Sequence, residues 1–492
     1  MRFLVTKPQL WGTRWQTARV EKAMIRRDTK DLETPHRNQS MAIWSGAAAM
    51  VLLCVVGFIV AKISPQSNQR DAKFIVTASG SPYIEYAGSL HPVLNLASAR
   101  LILGSPQTAK PVKDSVLDTR PRGQTMGILH GAEMLTPRED DTARWTVCDA
   151  HSASLSLTTN QSVKTTLIAG VSDLRGQKEL AAPTAVAMRD PDTPGQVWVL
   201  WGNRRATVSG EDKAAQTVLG LTPAVMGKAA PISRGLLNAI TPAPPITAPF
   251  IADRGQPSSA VAGMKNGDIV RSKTVSGSDV FTVVYGDGVQ EVPEFVADLL
   301  SAAGSAVTTT PAADLLKAPR VQHVDVDAFP SQAPVYVQSP VICWTWSRGA
   351  TDAAAATKLT IGDQLPIAPD DASQIVPLLE ATGIEQAEQA FTAPGKGWYV
   401  RVTGENRTSE AREQLLWIDD KGVRYAIGLE GNSYDGTVEA LGINHKPPLL
   451  IPWSIAKLYG QGPTLSKSDA LVLHENSGPD LRQKAAPKPD NK

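Results

Sequence analysis

Hydrophobic and polar positions follow two regimes along this chain. Residues Met41–Ala61, MAIWSGAAAMVLLCVVGFIVA, form an apolar run without a charge, bounded by Arg37 and Lys62. At about 1.5 Å per residue such a helix spans roughly 30 Å, the hydrocarbon thickness of a bilayer. Beyond it the pattern shortens. Four stretches each read as a β-rich run, a tight turn, a second β-rich run and an Ala/Leu helix pattern: Tyr83–Gly104, Val197–Leu221, Val280–Ala302 and Leu415–Ile443. Their turns are placed at Ala87-Gly88, Gly202-Asn203, Asp287-Gly288 and Lys421-Gly422, pairs suited to the positive φ of primed hairpin turns. In the first helix, Leu96, Ala99 and Leu103 define one apolar face. Two strands do not hold together alone in water, so each hairpin is expected to pack under its helix and against neighbouring copies.

Charge gives the apolar run a direction. The head, residues 1–40, carries nine Lys/Arg against four acids, and the far flank has only Lys62 before Arg70 and Lys73. Positive charge at a first span favours the cytoplasmic side, which puts the long remainder on the exported side. A cleaved signal peptide is the alternative. It is disfavoured by the length of the run, by the roughly forty residues before it, and by the lack of a small-residue cleavage site in AKISPQS. Within the head, the segment from Trp11 reads as helix, with Trp11, Trp15, Ala18, Lys22 and Ile25 near helical spacing. Such a helix suits anionic headgroups or a partner's cytoplasmic domain.

Cysteine placement fits an oxidising compartment. Cys54 lies within the span; Cys148 and Cys343 both lie in the exported part. No CxxC spacing suggests a metal, and a structural Cys148–Cys343 bridge is preferred over two free thiols. The flanking words Trp145-Thr-Val-Cys-Asp149 and Val341-Ile-Cys-Trp-Thr-Trp346 alternate like strands. A bridge there would join the two halves through a central β unit near 145–170 and 335–362. Pro-rich links such as 241–249 and 331–334 read as extended connectors, and 478–492 as a disordered tail.

Candidate chemistry is sparse. A net charge of +1 gives no reason to expect nucleic acid. The nearest approach to a P-loop, Gly220 to Gly227-Lys228-Ala229, has the wrong spacing and no Ser/Thr for magnesium; Gly395-Lys396-Gly397 fails likewise. His323, Asp325 and Asp327 in HVDVD would share one face of a strand, read as a solvated face. Asp140-Asp141 reads as a charged loop. No catalytic, cofactor or metal residues are assigned. The fold class is α+β: a single-pass membrane protein with a large exported domain of four hairpin-plus-helix repeats around a central β unit.

Specific words along the chain narrow the reading. In order they are Arg26-Arg27-Asp28-Thr29, Gln39-Ser40, HPVLNLASARLILG (His91–Gly104), RGQTMGI (Arg122–Ile128), WTVCD (Trp145–Asp149), CWTW (Cys343–Trp346), GVRY (Gly422–Tyr425), Pro452-Trp453 and GPTLS (Gly462–Ser466). Through them the chain resembles the EccB family, a membrane component of actinobacterial type VII (ESX) secretion systems. That resemblance implies a cytoplasmic N-terminal helix, one inner-membrane span and a periplasmic domain of four repeats with a disulfide. It implies partners of the EccC, EccD and EccE kinds and self-association on the periplasmic side. Trp11, Trp15, Arg26, Arg27 and Asp28 are the expected partner contacts. Two departures stand out: His130-Gly131 replaces the usual continuation after Gly-Ile, and the head is short. Family members are sometimes described as ATPases, so a nucleotide hydrolase is one alternative to a structural subunit; a peptidoglycan-binding module is another.

Overall fold

The computed structural model describes residues 7–27, 36–63, 72–151, 163–190, 192–193, 195–274, 276–309, 315, 317–378 and 386–474. The chain divides into two units, residues 1–72 and 73–492. The first contributes helix α1, Lys7–Arg26, and helix α2, His36–Ile63. The candidate span within α2 is Ser40–Phe58, with mean hydropathy 2.1 and none of it buried. Its side chains, from Met41 to Phe58, face outward on all sides, as a helix solvated by lipid would.

Within the second unit the repeat has more parts than a hairpin and a helix. Each copy is three antiparallel strands, a helical crossover, and a fourth strand parallel to the first. The first copy uses strands Phe74–Thr77, Pro82–Tyr86, Ser89–Pro92 and Lys110–Val112, with helix Leu96–Leu103. The others begin at Thr184–Arg189, Ile269–Lys273 and Trp398–Thr403 and end at Ala230–Pro231, Val307–Thr309 and Leu449–Pro452. A short parallel bridge then closes the third strand's outer side: Leu90 with Arg122, Arg205 with Pro242, Val289 with Arg320, and Ile427 with Leu465. The sequence pattern begins each copy one strand late. The first strand of each is separated from the hairpin by loops of varied length, so no fixed spacing announces it.

Two turns are the expected two-residue type, with Ala87 and Gly88 at φ 49° and 81°, and Gly202 and Asn203 at 45° and 66°. The other two differ. The third copy turns over four residues, Tyr285–Gly288, closed by Tyr285 N–H donating to Gly288 O at 2.8 Å. Its Gly288 answers a close approach instead, because a Cβ there would lie 2.4 Å from Pro319 O. The fourth copy turns over Asp419–Gly422, with Gly422 at φ 74°. The HVDVD segment is also not a strand. It is a loop running into a 3-10 turn, Val326–Ala328, which Asp325 caps by accepting from Asp327 N–H at 3.2 Å.

A seven-stranded sheet stands between the copies. Its middle strands, Thr142–His151 and Val341–Gly349, are antiparallel neighbours, flanked by Val163–Ala169 and Ala356–Gly362. Val335 and Tyr336, expected in this sheet, pair instead with Thr184 and Ala185 of the second copy. One core joins the central sheet to copies two and four, through Trp145, Trp344 and Trp346, Val186 and Met188, and Trp398 and Val400. A second joins copy four to copy one, and a third joins copy two to copy three. The order of contact is therefore one, four, central sheet, two, three.

This order explains the continuous apolar strands. In Leu415–Ile418, Leu416 and Ile418 face the central sheet while Leu415 and Trp417 face copy one. In Thr184–Arg189, Val186 and Met188 face the central sheet while Ala185 and Ala187 enter the core that copy two shares with copy three. A strand buried on both faces has no polar alternation to show.

Candidate assembly sites

The disulfide sits at the middle of this arrangement. Cys148 and Cys343 are partners in register on adjacent antiparallel strands, with Cα atoms 4.1 Å apart. The bridge is wholly buried against Ile168, Val341 and Phe391. It closes a separation of 195 residues. In the chain-entropy view a closure of that length contributes about 5 kcal/mol.

The neighbouring residue, Asp149, is buried and carries a second link. Its Oδ1 accepts from Thr165 Oγ1 at 3.0 Å and from Ser233 Oγ at 2.7 Å, and its Oδ2 accepts from Ser233 N–H at 2.8 Å. Ser233 in turn caps helix Arg234–Ala239. Burial pushes the Asp149 carboxyl above its ordinary value, against the pull of these donors. His151 lies two residues on, its Nδ1 3.2 Å from Pro340 O and its Nε2 2.9 Å from Pro231 O.

Two of the resemblance words prove to be two sides of one lock. Asn95 caps helix Leu96–Leu103 by accepting from Ser98 N–H at 3.0 Å, and donates through Nδ2 to Ile128 O at 2.7 Å. Ser98 Oγ accepts from Ile128 N–H at 2.8 Å. A Cβ on Gly123, Gly127 or Gly131 would come within 2.1 Å of the His91 ring, 2.9 Å of Ser98 Oγ or 2.8 Å of Asn95 Oδ1. These glycines are fixed by close approach. The one signal in the sequence was their regular spacing without a turn context. Gly131 is part of this contact, and His130 before it has φ 57°.

Copies one and four are further hooked by groups far apart in sequence. Arg100 Nη1 donates to Leu441 O at 2.6 Å, Trp417 Nε1 donates to Met134 O at 3.0 Å, and Lys421 meets Glu133 at 2.7 Å. None of these pairings shows in the linear pattern. Asp140 and Asp141, read as a charged loop, are neutralised by Arg138 at 2.6 Å and Lys446 at 2.7 Å.

The glycine–lysine words serve backbone turns. Gly227 ends the five-residue helix Pro223–Gly227, capped by Thr222. Gly395 N–H donates to Asp420 Oδ2 at 2.8 Å, so a carboxylate already occupies that backbone donor. A Cβ at Gly397 would lie 2.3 Å from the Trp417 ring. His323 Nε2 rests 3.0 Å from both Asp287 carboxylate oxygens, against the Tyr285 ring. Among the described residues no cluster of three His, Cys, Asp or Glu side chains has metal-binding geometry.

In the head, Trp11 is 78% exposed and Trp15 47% exposed, with the Arg19 guanidinium 5.0 Å from the Trp15 ring centroid. Arg27 is exposed at the helix end with φ 52°. Asp28 and the Arg26 side chain lie outside the described residues, as does the tail 478–492.

A large repeat domain behind one membrane-length helix, with its disulfide and polar locks spent on joining distant segments, has the outline of an anchored structural subunit. The chain belongs to the EccB family: the model described as "Type VII secretion system ESX-1, transport TM domain B" matches residues 2–479. It is 32% identical to "ESX-5 secretion system ATPase EccB5" of Mycobacterium tuberculosis, covering 97% of this chain and 95% of that one. It is 33% identical to "ESX-3 secretion system ATPase EccB3" of the same species, over 98% and 92%. Among solved structures, a chain of an intact ESX-5 inner membrane complex aligns over 99% of this chain and 98% of its own, with TM-score 0.74 and 30% identity. An EccB3 dimer from the ESX-3 core complex aligns over 81% and 100%, with TM-score 0.70 and 29% identity.

Proposed function

We propose that this protein is a structural core subunit of a type VII (ESX) inner-membrane secretion complex. The observation that carries the proposal is the likeness, over nearly the whole chain, to a component of an intact ESX-5 inner membrane complex. In this reading α1 is cytoplasmic, α2 spans the inner membrane, and the domain from Lys73 onward is periplasmic. The excess of positive charge before the span supports that orientation. Trp11, Trp15, Arg26, Arg27 and Asp28 engage EccC-, EccD- or EccE-like subunits. The small-residue stretch Gly46-Ala-Ala-Ala-Met50, with nothing within 4 Å of a Cβ at Gly46, suits close approach of another helix in the bilayer. Self-association falls to the periplasmic domain, as the solved EccB3 dimer suggests.

The role is positional and non-catalytic. The relatives are named ATPases, yet here the glycine–lysine words are engaged in turn closure and helix ends. A strain lacking the chain is expected to lose the large membrane particle on native gels, and to regain it with the intact chain. Purified full-length protein is expected to turn over ATP no faster than a mock preparation. A particle that forms without the chain overturns the structural role. ATP turnover that tracks the purified protein overturns its non-catalytic character.

A further inference from the structure

Arg424 of the word GVRY and Trp453 of the word Pro452-Trp453, which no contact above uses, meet on copy four. The Arg424 guanidinium lies over the Trp453 ring, 5.1 Å from its centroid. Arg424 is half-buried and Trp453 is 39% exposed. Arg424 Nε is enclosed without a hydrogen-bond partner. Among the described residues no group accepts from its terminal nitrogens or from Trp453 Nε1, and no carboxylate pairs with the guanidinium. Burial disfavours its charge and pulls the group below the ordinary arginine value. The indole face offsets part of that loss of solvation.

Copy two carries the same two residue types with both answered. Arg205 stands where Arg424 does: Ala243 N–H donates to Arg205 O at 2.8 Å, and Gly462 N–H donates to Arg424 O at 2.9 Å. Arg205 also lies over an indole, that of Trp198, at 4.9 Å. Its Nε, however, donates to Ile240 O at 3.2 Å, and Trp198 Nε1 donates to Asp190 Oδ2 at 3.1 Å. Copy four keeps the donors and lacks the acceptors.

The missing acceptor has to reach the terminal nitrogens, and a carboxylate matches that planar fork. A lipid surface calls for a cluster of basic groups, whereas Lys457, one turn after Trp453, is already engaged. An arginine beside an exposed tryptophan is the composition of an anchor between proteins. A second copy of the chain supplies the charge. Asp363 and Asp370 are exposed and belong to no ion pair among the described residues.

We infer that Arg424 and Trp453 anchor the contact between two copies of this chain, with a carboxylate of the second copy received by the Arg424 terminal nitrogens. This rests on the self-association proposed above and names its anchor. The test uses full-length protein in detergent, with the dimer constant read by sedimentation across a dilution series. Arg424→Met keeps an aliphatic stem on the indole and removes the charge. It is expected to weaken the dimer about tenfold. At concentrations where the parent is monomeric, its urea midpoint is expected to stay equal or rise, because a half-buried cation without a partner is removed. Gln461 is exposed and pairs with Arg424 across the strands. A photoreactive residue in its place, in a mixture of isotope-labelled and unlabelled chains, is expected to mark an Asp- or Glu-containing peptide of the other copy. Changing that acid to Lys should weaken the dimer, and combining it with Arg424→Glu should restore it. A dimer constant unchanged by Arg424→Met overturns the inference. So does a lowered urea midpoint that Glu380→Gln or Glu385→Gln reproduces, since it would give the guanidinium a partner within its own chain. Label confined to lipid, to a different subunit or to the same copy overturns it as well. A parent that stays monomeric at every concentration defeats the self-associating reading itself, and this contact with it.

Discussion

The two outer pairs of repeats solve one packing problem by different means. Copies two and three follow each other in sequence and meet mainly through apolar helix packing, Lys213–Val218 on Glu294–Ala302, with Phe295 and Leu299 entering the core of copy two and a single hook, Arg204 Nη1 donating to Asp327 O at 2.7 Å. Copies one and four lie at opposite ends of the domain's sequence. They too pack helix on helix, Leu96–Leu103 on Asp435–Leu441, but add directional hooks: Arg100 to Leu441 O, Trp417 to Met134 O, and His474 Nε2 to Gly127 O at 2.7 Å. Closing a longer loop costs more entropy, though only slowly with length. What the distant pair needs most is a unique register between segments that chain connectivity does not hold together, and directional polar contacts supply it.

Breaking the Cys148–Cys343 bridge tests what the halves share. The paired Cys148→Ala and Cys343→Ala change is expected to lower stability by about 5 kcal/mol, read by urea melts. Faster amide exchange is expected in both halves, because the bridge joins the sheet that both lean on. Phe295→Ala breaks the comparison on one side. The side chain is fully buried, and its loss is expected to cost about 4 kcal/mol. Exchange should quicken in 197–221 and 280–302 while 83–104 and 415–443 stay protected. Arg100→Ala breaks it on the other side. Loss of a charged hydrogen bond to a carbonyl is expected to cost about 2 kcal/mol, with the exchange pattern reversed.

The smallest effect is a pH slope at the junction. Burial holds Asp149 above its unfolded value, so the folded protein binds that proton more tightly than the unfolded chain. The stabilisation from this linkage is fully present below the ordinary carboxylate range, near about pH 4, and declines as pH rises through the raised folded value. Asp149→Asn removes the titration. Its stability deficit relative to the parent is therefore expected to be larger at about pH 4 than at about pH 8, measured by paired urea melts. An equal deficit at both would place the ordinary value on Asp149 in the folded state.

Legibility in the sequence followed the same division. The span, the hairpins at Ala87-Gly88 and Gly202-Asn203, and the pairing of Cys148 with Cys343 all rest on local pattern or on strand words that read alone. The first strand of each copy did not, because a doubly buried strand such as Thr184–Arg189 carries neither alternation nor a fixed distance to its hairpin. HVDVD misled for the opposite reason. Its alternation is real, but Asp325 caps a turn, and the short polar side chain offers the backbone an alternative to a ladder. The lock of Gly123, Gly127 and Gly131 against His91, Ser98 and Asn95 was visible as words, and its meaning lay in three-dimensional closeness alone.

Whether this chain is a structural subunit, held in a membrane complex by its head, span and repeat domain, is decided by native affinity purification. The tagged full-length chain would be solubilised in mild detergent and every co-purifying protein identified with its stoichiometry. More than one copy of this chain is expected in a large particle with EccC-, EccD- and EccE-like subunits, with loss of those subunits when residues 7–26 are deleted. Recovery of the chain alone, as a monomer in detergent, would contradict it.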